Sequence, residues 1–249
     1  MRKLALGTWR MPKDPSVNVQ LDINITKLSN QLGSNLNKYL KQKIIQSFSK
    51  ILNEVPELNT IILRGKFRQR TNNRIFIPTV FRHKQHLDLN GVFIDNAYTM
   101  SLEEIKSDWN KKINDLRSGN NQEIKKVIML FKRLPSLLCK PLIKLIGFIQ
   151  YECNFSLSFL GLPKDPFGSM TITFLDKFDV KYADIPIFSF SRSAILIAVG
   201  AHYKVGNETF LPLTCTFDHR CFDGFEGNIA YKKLKKYMNQ YENENSDIP

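Results

Sequence analysis

The chain has 249 residues, of which 43% are hydrophobic and 24% are charged. These proportions are typical of globular proteins and exclude a disordered or fibrous chain, and the length allows one large domain or two small ones. Lys and Arg number 36 against 23 Asp and Glu, so the formal net charge is +13. A surplus of this size attracts nucleic acid, anionic membranes or phosphorylated small molecules, and the charge alone does not choose among them.

The N-terminal sequence contains no apolar run long enough for a signal peptide, and the four cysteines form no CxxC pair. We therefore expect a cytoplasmic protein with reduced thiols. The longest apolar stretch, residues 134–149, is interrupted by two lysines, a proline and a glycine. It falls short of the ~20 apolar residues that a membrane-spanning helix needs.

The first half of the chain combines strand and helix patterns. Apolar and polar residues alternate over 17–25, which predicts a strand with one buried face. Apolar residues at helical spacing predict a helix over 36–52, which ends before Pro56. Further along we predict a helix over 101–116, opened by the capping-box pattern Ser101-x-x-Glu104, and strands over 60–64, 74–80 and 91–94, the first two joined by a basic segment at 65–73.

The second half begins with helical patterns over 117–130 and 134–150 and then changes to strands. A last helix over 224–239 carries a lysine-rich outer face. We predict strands over 156–160, 170–174, 194–200 and 210–217. The chain therefore reads as one α+β domain over 1–241, with helices flanking a large mixed sheet, a helical insertion at about 117–165 and a flexible tail at 242–249.

The most informative segment is 211–227, where a strand runs into Asp218-His219-Arg220, then a tight turn, then a helix. Strand ends hold a reactive side chain rigidly and leave its tip accessible. His219 lies between two charged residues at such a junction, whereas His83 and His86 fall in a basic segment expected to be an exposed loop. On chemistry alone, His219 is a candidate general base or a structural histidine.

The seven residues Asp218-His219-Arg220-Cys221-Phe222-Asp223-Gly224 contain His-x-x-x-Asp-Gly. They resemble the active-site signature of the dihydrolipoyl acyltransferase catalytic domains of 2-oxo acid dehydrogenase complexes. Chloramphenicol acetyltransferases share the shorter motif and the fold. Further segments are similar to that family in the same order along the chain: P-E-L-N at 56–59, S-L-E-E-I at 101–105, G-S-M-T-I-T-F-L at 168–175 and S-A-I-L at 193–196.

The resemblance implies a chloramphenicol acetyltransferase-like α+β fold and a homotrimer with active sites at the subunit interfaces. It implies a CoA-dependent acyltransferase that moves an acyl group between coenzyme A and a dihydrolipoyl thiol, such as that of dihydrolipoamide. His219 then falls at the position of the base that removes the thiol proton. Thr173 falls where the family has a serine, which donates from the neighbouring subunit to the oxyanion.

The resemblance also implies supporting roles around the base. Asp223, in the signature itself, is expected to hold the turn that aims His219 through an arginine, with Arg220 and Arg10 as candidates. Asp218 and Arg220 flank the base. Gly224, with Gly227, is expected to let the last helix begin close to the sheet. No residues are assigned to cofactor binding or to a metal.

Several features depart from the family pattern. Thr173 keeps the hydroxyl and adds a methyl group that restricts its rotamers. Asp176 and Asp179 stand where small residues are expected, and no lipoyl domain with its modified lysine is evident. We therefore expect a freestanding catalytic domain without a covalently bound cofactor, which uses acyl-CoA or takes acyl groups from a lipoyl-bearing protein in trans. The alternative is a catalytically inactive scaffold or interaction protein with the same fold.

Three other interpretations stay open. Cys215, His219 and Cys221 could form a metal site, although the spacing C-x3-H-x-C matches no zinc pattern. The basic residues of 64–74 and of the last helix could bind nucleic acid, form a solvated face or steer an anionic cofactor. The stretch 134–150 could be a helix packed on the sheet, a lid over an acyl channel or a basic helix in contact with a membrane surface.

Overall fold

Nine strands and five α-helices make up the described part of the chain, which in this computed structural model is residues 15–83, 86–118, 135–160, 165, 167–187 and 191–240. The strands are β1 (Ser16–Asn24), β2 (Thr60–Leu63), β3 (Lys66–Gln69), β4 (Arg74–His83), β5 (His86–Asp95), β6 (Met170–Phe174), β7 (Ile195–Val199), β8 (Tyr203–Val205) and β9 (Glu208–Asp218). The helices are α1 (Thr26–Leu32), α2 (Leu36–Glu54), α3 (Leu102–Arg117), α4 (Ser136–Gly147) and α5 (Gly224–Met238).

A seven-stranded mixed sheet forms the centre of the molecule. Its order is β1-β9-β7-β6-β4-β5, with β8 paired to the start of β9. Strand β6 runs parallel to both of its neighbours, β4 and β7, and the other pairs are antiparallel. Strands β2 and β3 form a separate hairpin. The predicted α+β class with a large mixed sheet is therefore confirmed.

The two faces of the sheet differ in chemistry. Alternate residues of β9, such as Leu211 and Leu213, join the apolar core against α2 and α5. The residues between them point the other way, so Thr214 and Thr216 lie on the opposite face. Burying a single Ile or Leu side chain of this core contributes about 1.5–3 kcal/mol. The helix-covered face therefore carries much of the stability.

The connection between β6 and β7 runs beside the face that the helices leave free. The main-chain carbonyl of Val180 accepts a hydrogen bond from the N–H of Ala201 (3.2 Å), and Tyr182 donates its hydroxyl to Asp22 on β1 (2.7 Å). A side chain at Gly200 would overlap the carbonyl oxygen of Lys181, so only glycine admits this approach. The sheet is thus bordered by an extended segment on this side.

Most predicted elements are confirmed. The strand expected over 17–25, the helix over 36–52 and the capping box of Ser101 and Glu104 are all present. The strand 170–174 and the helix after Asp223 are also present. Helix α4 occupies the stretch expected to be helical over 134–150 and continues into a π-helical turn, Phe148–Glu152.

Three local predictions are wrong. Residues 156–160 form no strand but an isolated bridge at Leu157 and a short 3-10 helix, Ser158–Leu160. The basic segment 65–73 contains β3, and the expected loop around His83 and His86 is the end of a hairpin, because β4 reaches His83 and β5 begins at His86. The helical pattern over 117–130 falls mostly outside the described residues, as does the tail 242–249. Within the described ranges, no helix has the length and apolar character to cross a membrane.

Candidate active site

His219 lies at the junction where β9 ends and the turn before α5 begins. Its main-chain N–H donates to the carbonyl oxygen of Pro15 (3.0 Å), which extends the pairing with β1 by one residue. The N–H of Cys221 donates to the carbonyl of Asp218 (2.9 Å) and closes the turn. The imidazole is exposed, with its centroid 6.2 Å from the ring of Phe217. The backbone of His219 is therefore fixed while its imidazole faces outward.

Asp218 anchors this turn from within the protein. Its side chain is buried and accepts hydrogen bonds from Arg220, whose Nη2 lies 2.6 Å from Oδ2 and whose main-chain N–H lies 3.0 Å from Oδ1. Burial opposes ionisation of Asp218, but the hydrogen bonds from Arg220 outweigh it and lower the pKa of the carboxyl. The aspartate and arginine that flank His219 thus bind each other across it.

This pairing corrects the expectation that Arg220 binds Asp223. Asp223 instead caps α5: its Oδ1 accepts the N–H of Phe225 (2.8 Å), and Glu226 accepts the N–H of Asp223 (3.1 Å). The hydrogen bond from Phe225 is the largest cause of a lowered Asp223 pKa, to which attraction to His219 also contributes. Asp223 therefore fixes the start of the helix that follows the base. Arg10, the other expected partner, lies outside the described residues.

The glycines of α5 do not have the role expected of them. A Cβ atom built on Gly224 or Gly227 would meet no atom within 4 Å, so neither glycine is needed for close approach to the sheet. Both instead line an apolar cavity of about 280 Å³ between α5 and the sheet, together with Cys215 and Phe217. The first turns of α5 therefore stand away from the strands.

Thr173 lies far from His219 within one chain. It pairs with Ala198 on β7, which pairs with Thr214 on β9, so Thr173 is two strands away and five residues short of His219. At about 3.3 Å per residue and about 4.8 Å per strand, the two Cα atoms are roughly 19 Å apart. Thr173 also lies on the sheet face opposite the helices, whereas His219 neighbours Phe217 on the helix side. One chain does not bring the two residues together.

The surroundings of Thr173 were only partly predicted. Asp176, expected to alter the charge of a cleft wall, forms an ion pair with Lys41 (3.0 Å). Asp179 has a φ of 52°, in the left-handed region that aspartate tolerates better than most residues. Sequence reasoning missed Thr214 and Thr216, whose hydroxyls are buried and lack a partner among the described residues. Their spacing of two along β9 could have placed them on one face of the sheet.

A second cavity, of about 660 Å³, adjoins the motif and was not predicted. Asp218, Arg220 and Cys221 line it on one side, and residues of α4 and the π-helical turn line it on the other. Arg192 also borders it and holds the turn by an ion pair with Glu152 (3.6 Å) and a contact over the ring of Tyr151. Helix α4 therefore faces the motif across this cavity.

The metal interpretation has no support in the geometry. Cys215 packs into the helix-side core, where burial raises the pKa of its thiol to about 12, so it is a poor metal ligand. Within the described ranges, no three His, Cys, Asp or Glu side chains lie close enough together to hold a metal ion.

Part of the basic segment is used by the fold. Arg70 is buried and binds Asp165 (2.7 Å) and the carbonyl of Arg192 (2.9 Å). Arg74 binds Asp95 through two hydrogen bonds (2.6 and 3.0 Å). These two arginines are therefore not available to a nucleic-acid phosphate, which weakens the nucleic-acid interpretation.

Comparisons with solved structures agree with this architecture. The chain has the chloramphenicol acetyltransferase-like fold, since it superposes on chloramphenicol acetyltransferase with a TM-score of 0.54 and 12% identity over 95% of this chain and 94% of that one. It is also similar to a probable dihydrolipoamide acetyltransferase from Listeria monocytogenes 4b F2365, with 16% identity, a TM-score of 0.62, and 94% and 88% of the two chains covered.

A third similar structure is a truncated catalytic core of the 2-oxoacid dehydrogenase multienzyme complex from Thermoplasma acidophilum, with 17% identity and a TM-score of 0.62 over 96% of this chain and 95% of that one. No family model and no curated protein matches the sequence. Identities this low establish the fold, and the function has to be argued from the site.

Proposed function

We propose that the protein is a CoA-dependent acyltransferase with His219 as its general base. The observation that carries the proposal is the position of His219: an exposed imidazole on a turn fixed by Asp218, Arg220 and the cap of α5, within an acyltransferase-type fold. Histidine is the side chain most often used to accept and return a proton in enzyme sites that work near neutral pH. A base held rigidly at a strand end also loses little entropy when it meets its substrate.

The proposed reaction moves an acyl group between two thiols. An imidazole nitrogen of His219 accepts the proton of the acceptor thiol, for which a dihydrolipoyl group is the proposed case. The thiolate sulfur forms a bond to the acyl carbonyl carbon of acyl-CoA, and the carbonyl oxygen becomes an oxyanion. The bond from that carbon to the CoA sulfur then breaks, and the imidazolium returns the proton to the CoA thiolate. The products are the acyl thioester of the acceptor and free CoA.

The oxyanion needs a fixed donor, and we propose the hydroxyl of Thr173 from a neighbouring copy. Within one chain, roughly 19 Å and the thickness of the sheet separate Thr173 from His219, so they meet only if two copies contribute to one site. A closed ring in which each copy contributes both residues has three equivalent sites in a homotrimer. In comparable sites an oxyanion donor lowers the activation barrier by about 3–4 kcal/mol.

Acyl-CoA is the proposed donor, and a lipoyl-bearing protein is the proposed source of the acceptor thiol in a cytoplasmic setting. Lys144, Arg192 and Arg220 border the 660 Å³ cavity beside the motif. Because Arg192 and Arg220 pair with Glu152 and Asp218, Lys144 supplies the surplus positive charge that favours an approaching anion such as the phosphates of CoA. No positions are assigned to the bound cofactor.

The test is single-turnover acetyl transfer from acetyl-CoA to free dihydrolipoamide. The transfer is measured by the release of CoA. His219→Ala is expected to lower the rate by about 10²–10⁴-fold, which is the usual contribution of a general base. His202→Ala is the matched control, because His202 also follows a strand but lies outside the motif, and it should leave the rate unchanged. An equal rate for wild type and His219→Ala would instead favour the inactive scaffold.

A further inference from the structure

Helix α4 and the π-helical turn after it present large apolar side chains to solvent. Leu137 is 85% exposed and Phe148 57% exposed, and Leu138 and Leu145 are about half exposed. Single exposed apolar residues are ordinary, but a row of them along one helix usually marks an interaction surface. The spacing of 138, 145 and 148 places these three on one side of the helix.

The neighbouring side of the same helix is already packed. Ile146 is buried against Leu157, with Leu142 and Ile149 beside them. The π-helical turn is fixed as well, because the carbonyl of Tyr151 accepts the N–H of Arg64 (3.2 Å). The fold therefore does not use the exposed apolar row, which stands on a rigid support.

The hairpin of β2 and β3 extends this surface. Ile62 borders the cavity under α4, and its partner across the hairpin is Phe67, which is 60% exposed. Directly paired residues lie on the same face of a hairpin, so Phe67 lies on the side that faces the helix. Arg64 joins the two elements by donating to the carbonyl of Cys153 (2.9 Å). We call the exposed residues of α4, its π-helical turn and this hairpin the helix–hairpin surface.

The exposed charges on the helix–hairpin surface are positive. The sequence contains no Asp or Glu from 58 to 70 or from 135 to 151, and in these two ranges the exposed cations are Arg64, Lys66, Arg68, Lys140 and Lys144. Glu152, the last residue of the π-helical turn, is half-buried and pairs with Arg192. A second copy of the same surface would place like charges opposite each other, which disfavours a two-fold dimer in which this surface meets itself. Leu and Phe rimmed by Lys and Arg instead match the boundary between acyl chains and anionic headgroups.

We propose that the helix–hairpin surface binds an anionic phospholipid bilayer, with α4 lying in the plane of the membrane. The apolar row enters the boundary between headgroups and acyl chains, and the lysines and arginines contact the lipid phosphates. At about 1.5 Å per residue, the 12 residues of α4 present a surface ~18 Å long. This inference does not depend on the proposed acyl transfer, because vesicle binding is measured without substrate, although Lys144 and Phe148 also border the cavity beside the motif.

The test is co-sedimentation of the full chain with two kinds of vesicle. One kind is phosphatidylcholine alone, and the other contains ~30% phosphatidylglycerol, which makes it anionic. The wild type is expected to bind the anionic vesicles and to dissociate at high salt. Lys140→Glu with Lys144→Glu should weaken binding roughly 30-fold or more, because each lysine near an anionic surface contributes about five-fold. Leu138→Ser with Leu145→Ser should weaken it about 10-fold or more.

Two matched controls distinguish binding through this surface from nonspecific binding caused by the net charge or by any exposed apolar side chain. Lys232→Glu with Lys236→Glu makes the same change of charge at the same spacing on α5, and Phe178→Ser removes an apolar side chain that is equally exposed elsewhere. Both controls should bind like wild type. The proposal is overturned if the wild type ignores anionic vesicles, if the α5 variant loses binding equally, or if the leucine variant binds normally. Circular dichroism and elution volume establish that each variant is folded and assembled as the wild type is.

Discussion

Thr173 and His219 provide the sharpest test of the proposed enzyme, because one chain holds them apart. The experiment combines two variants that are each expected to be inactive. Thr173→Ala keeps the imidazole of His219 and lacks the hydroxyl, and His219→Ala keeps the hydroxyl and lacks the imidazole. Along β9 and across two strand spacings their Cα atoms are roughly 19 Å apart, while a hydrogen bond to a shared oxyanion needs about 3 Å. If the site is formed between copies, a mixed trimer regains an intact site.

The size of the effect follows from the symmetry of a closed ring. Each mixed trimer, whether it holds two copies of one variant or of the other, has one interface at which both intact residues meet. About one third of the wild-type activity per trimer is therefore expected. The parent proteins should be far below this, since loss of the base lowers the rate by about 10²–10⁴-fold and loss of an oxyanion donor by about 10²–10³-fold.

The assay uses the two variants coexpressed with different tags and purified on both in sequence, so that only mixed assemblies remain. Transfer from acetyl-CoA to dihydrolipoamide is then measured beside each parent. Thr173→Ser serves as the control, because it keeps the hydroxyl, and it should retain or raise activity. Activity of the mixed assemblies no higher than that of the parents would refute a site shared between copies.

Three further predictions concern the support of the site. Cys153 is exposed and should react with a thiol reagent in the native protein. Burial raises the pKa of the Cys215 thiol to about 12, so Cys215 should be labelled only after denaturant is added. Labelling of Cys215 in the native protein, found by peptide mass analysis, would contradict the structure. Gly200→Ala should lower stability by about 1–3 kcal/mol through overlap with a main-chain carbonyl, while Gly227→Ala, in open space on α5, should be neutral or slightly stabilising in the same thermal melts. The lowered pKa of Asp218 contributes stability that is full above the ordinary aspartate value near 3.9 and is lost as the pH falls through the folded value. Asp218→Asn should therefore lower the denaturation midpoint at pH 7 and less so at pH 3, and an equal loss at both pH values would count against the ion pair as the cause.

The sequence predicted the local geometry of the motif well. A run of threonines and apolar residues over 210–217 located β9, and the change to helical spacing after Asp223 located α5. Both signals depend on residues close in the chain, where burial of one face determines the pattern. The same holds for β6, whose bounds the sequence predicted without error.

The side-chain pairing within the turn, the packing beneath α5 and the exposed strand β3 were harder to predict. Arg220 could reach either Asp218 or Asp223, and the choice depends on how the turn folds, which periodicity does not report. The glycines of α5 suggested close packing, yet the gap beneath them depends on the tilt of the helix over β1 and β9. The basic segment 65–73 gave no alternation, so β3 was missed, because an exposed hairpin strand buries neither face.

The distribution of hydrogen bonds explains why the motif was visible in the sequence while the proposed active site was not. Asp218 binds Arg220, and Asp223 accepts the N–H of Phe225, all within eight residues of chain, so their pattern is short and local. Within the described part of the chain, no hydrogen bond is recorded from the His219 ring or the Thr173 hydroxyl. Groups that are held in place by their own segment but lack a side-chain partner are suited to meet substrate or another copy. The local contacts thus position His219, and in the proposed mechanism its chemical partners, the substrate thiol and the Thr173 hydroxyl of another copy, come from outside the chain.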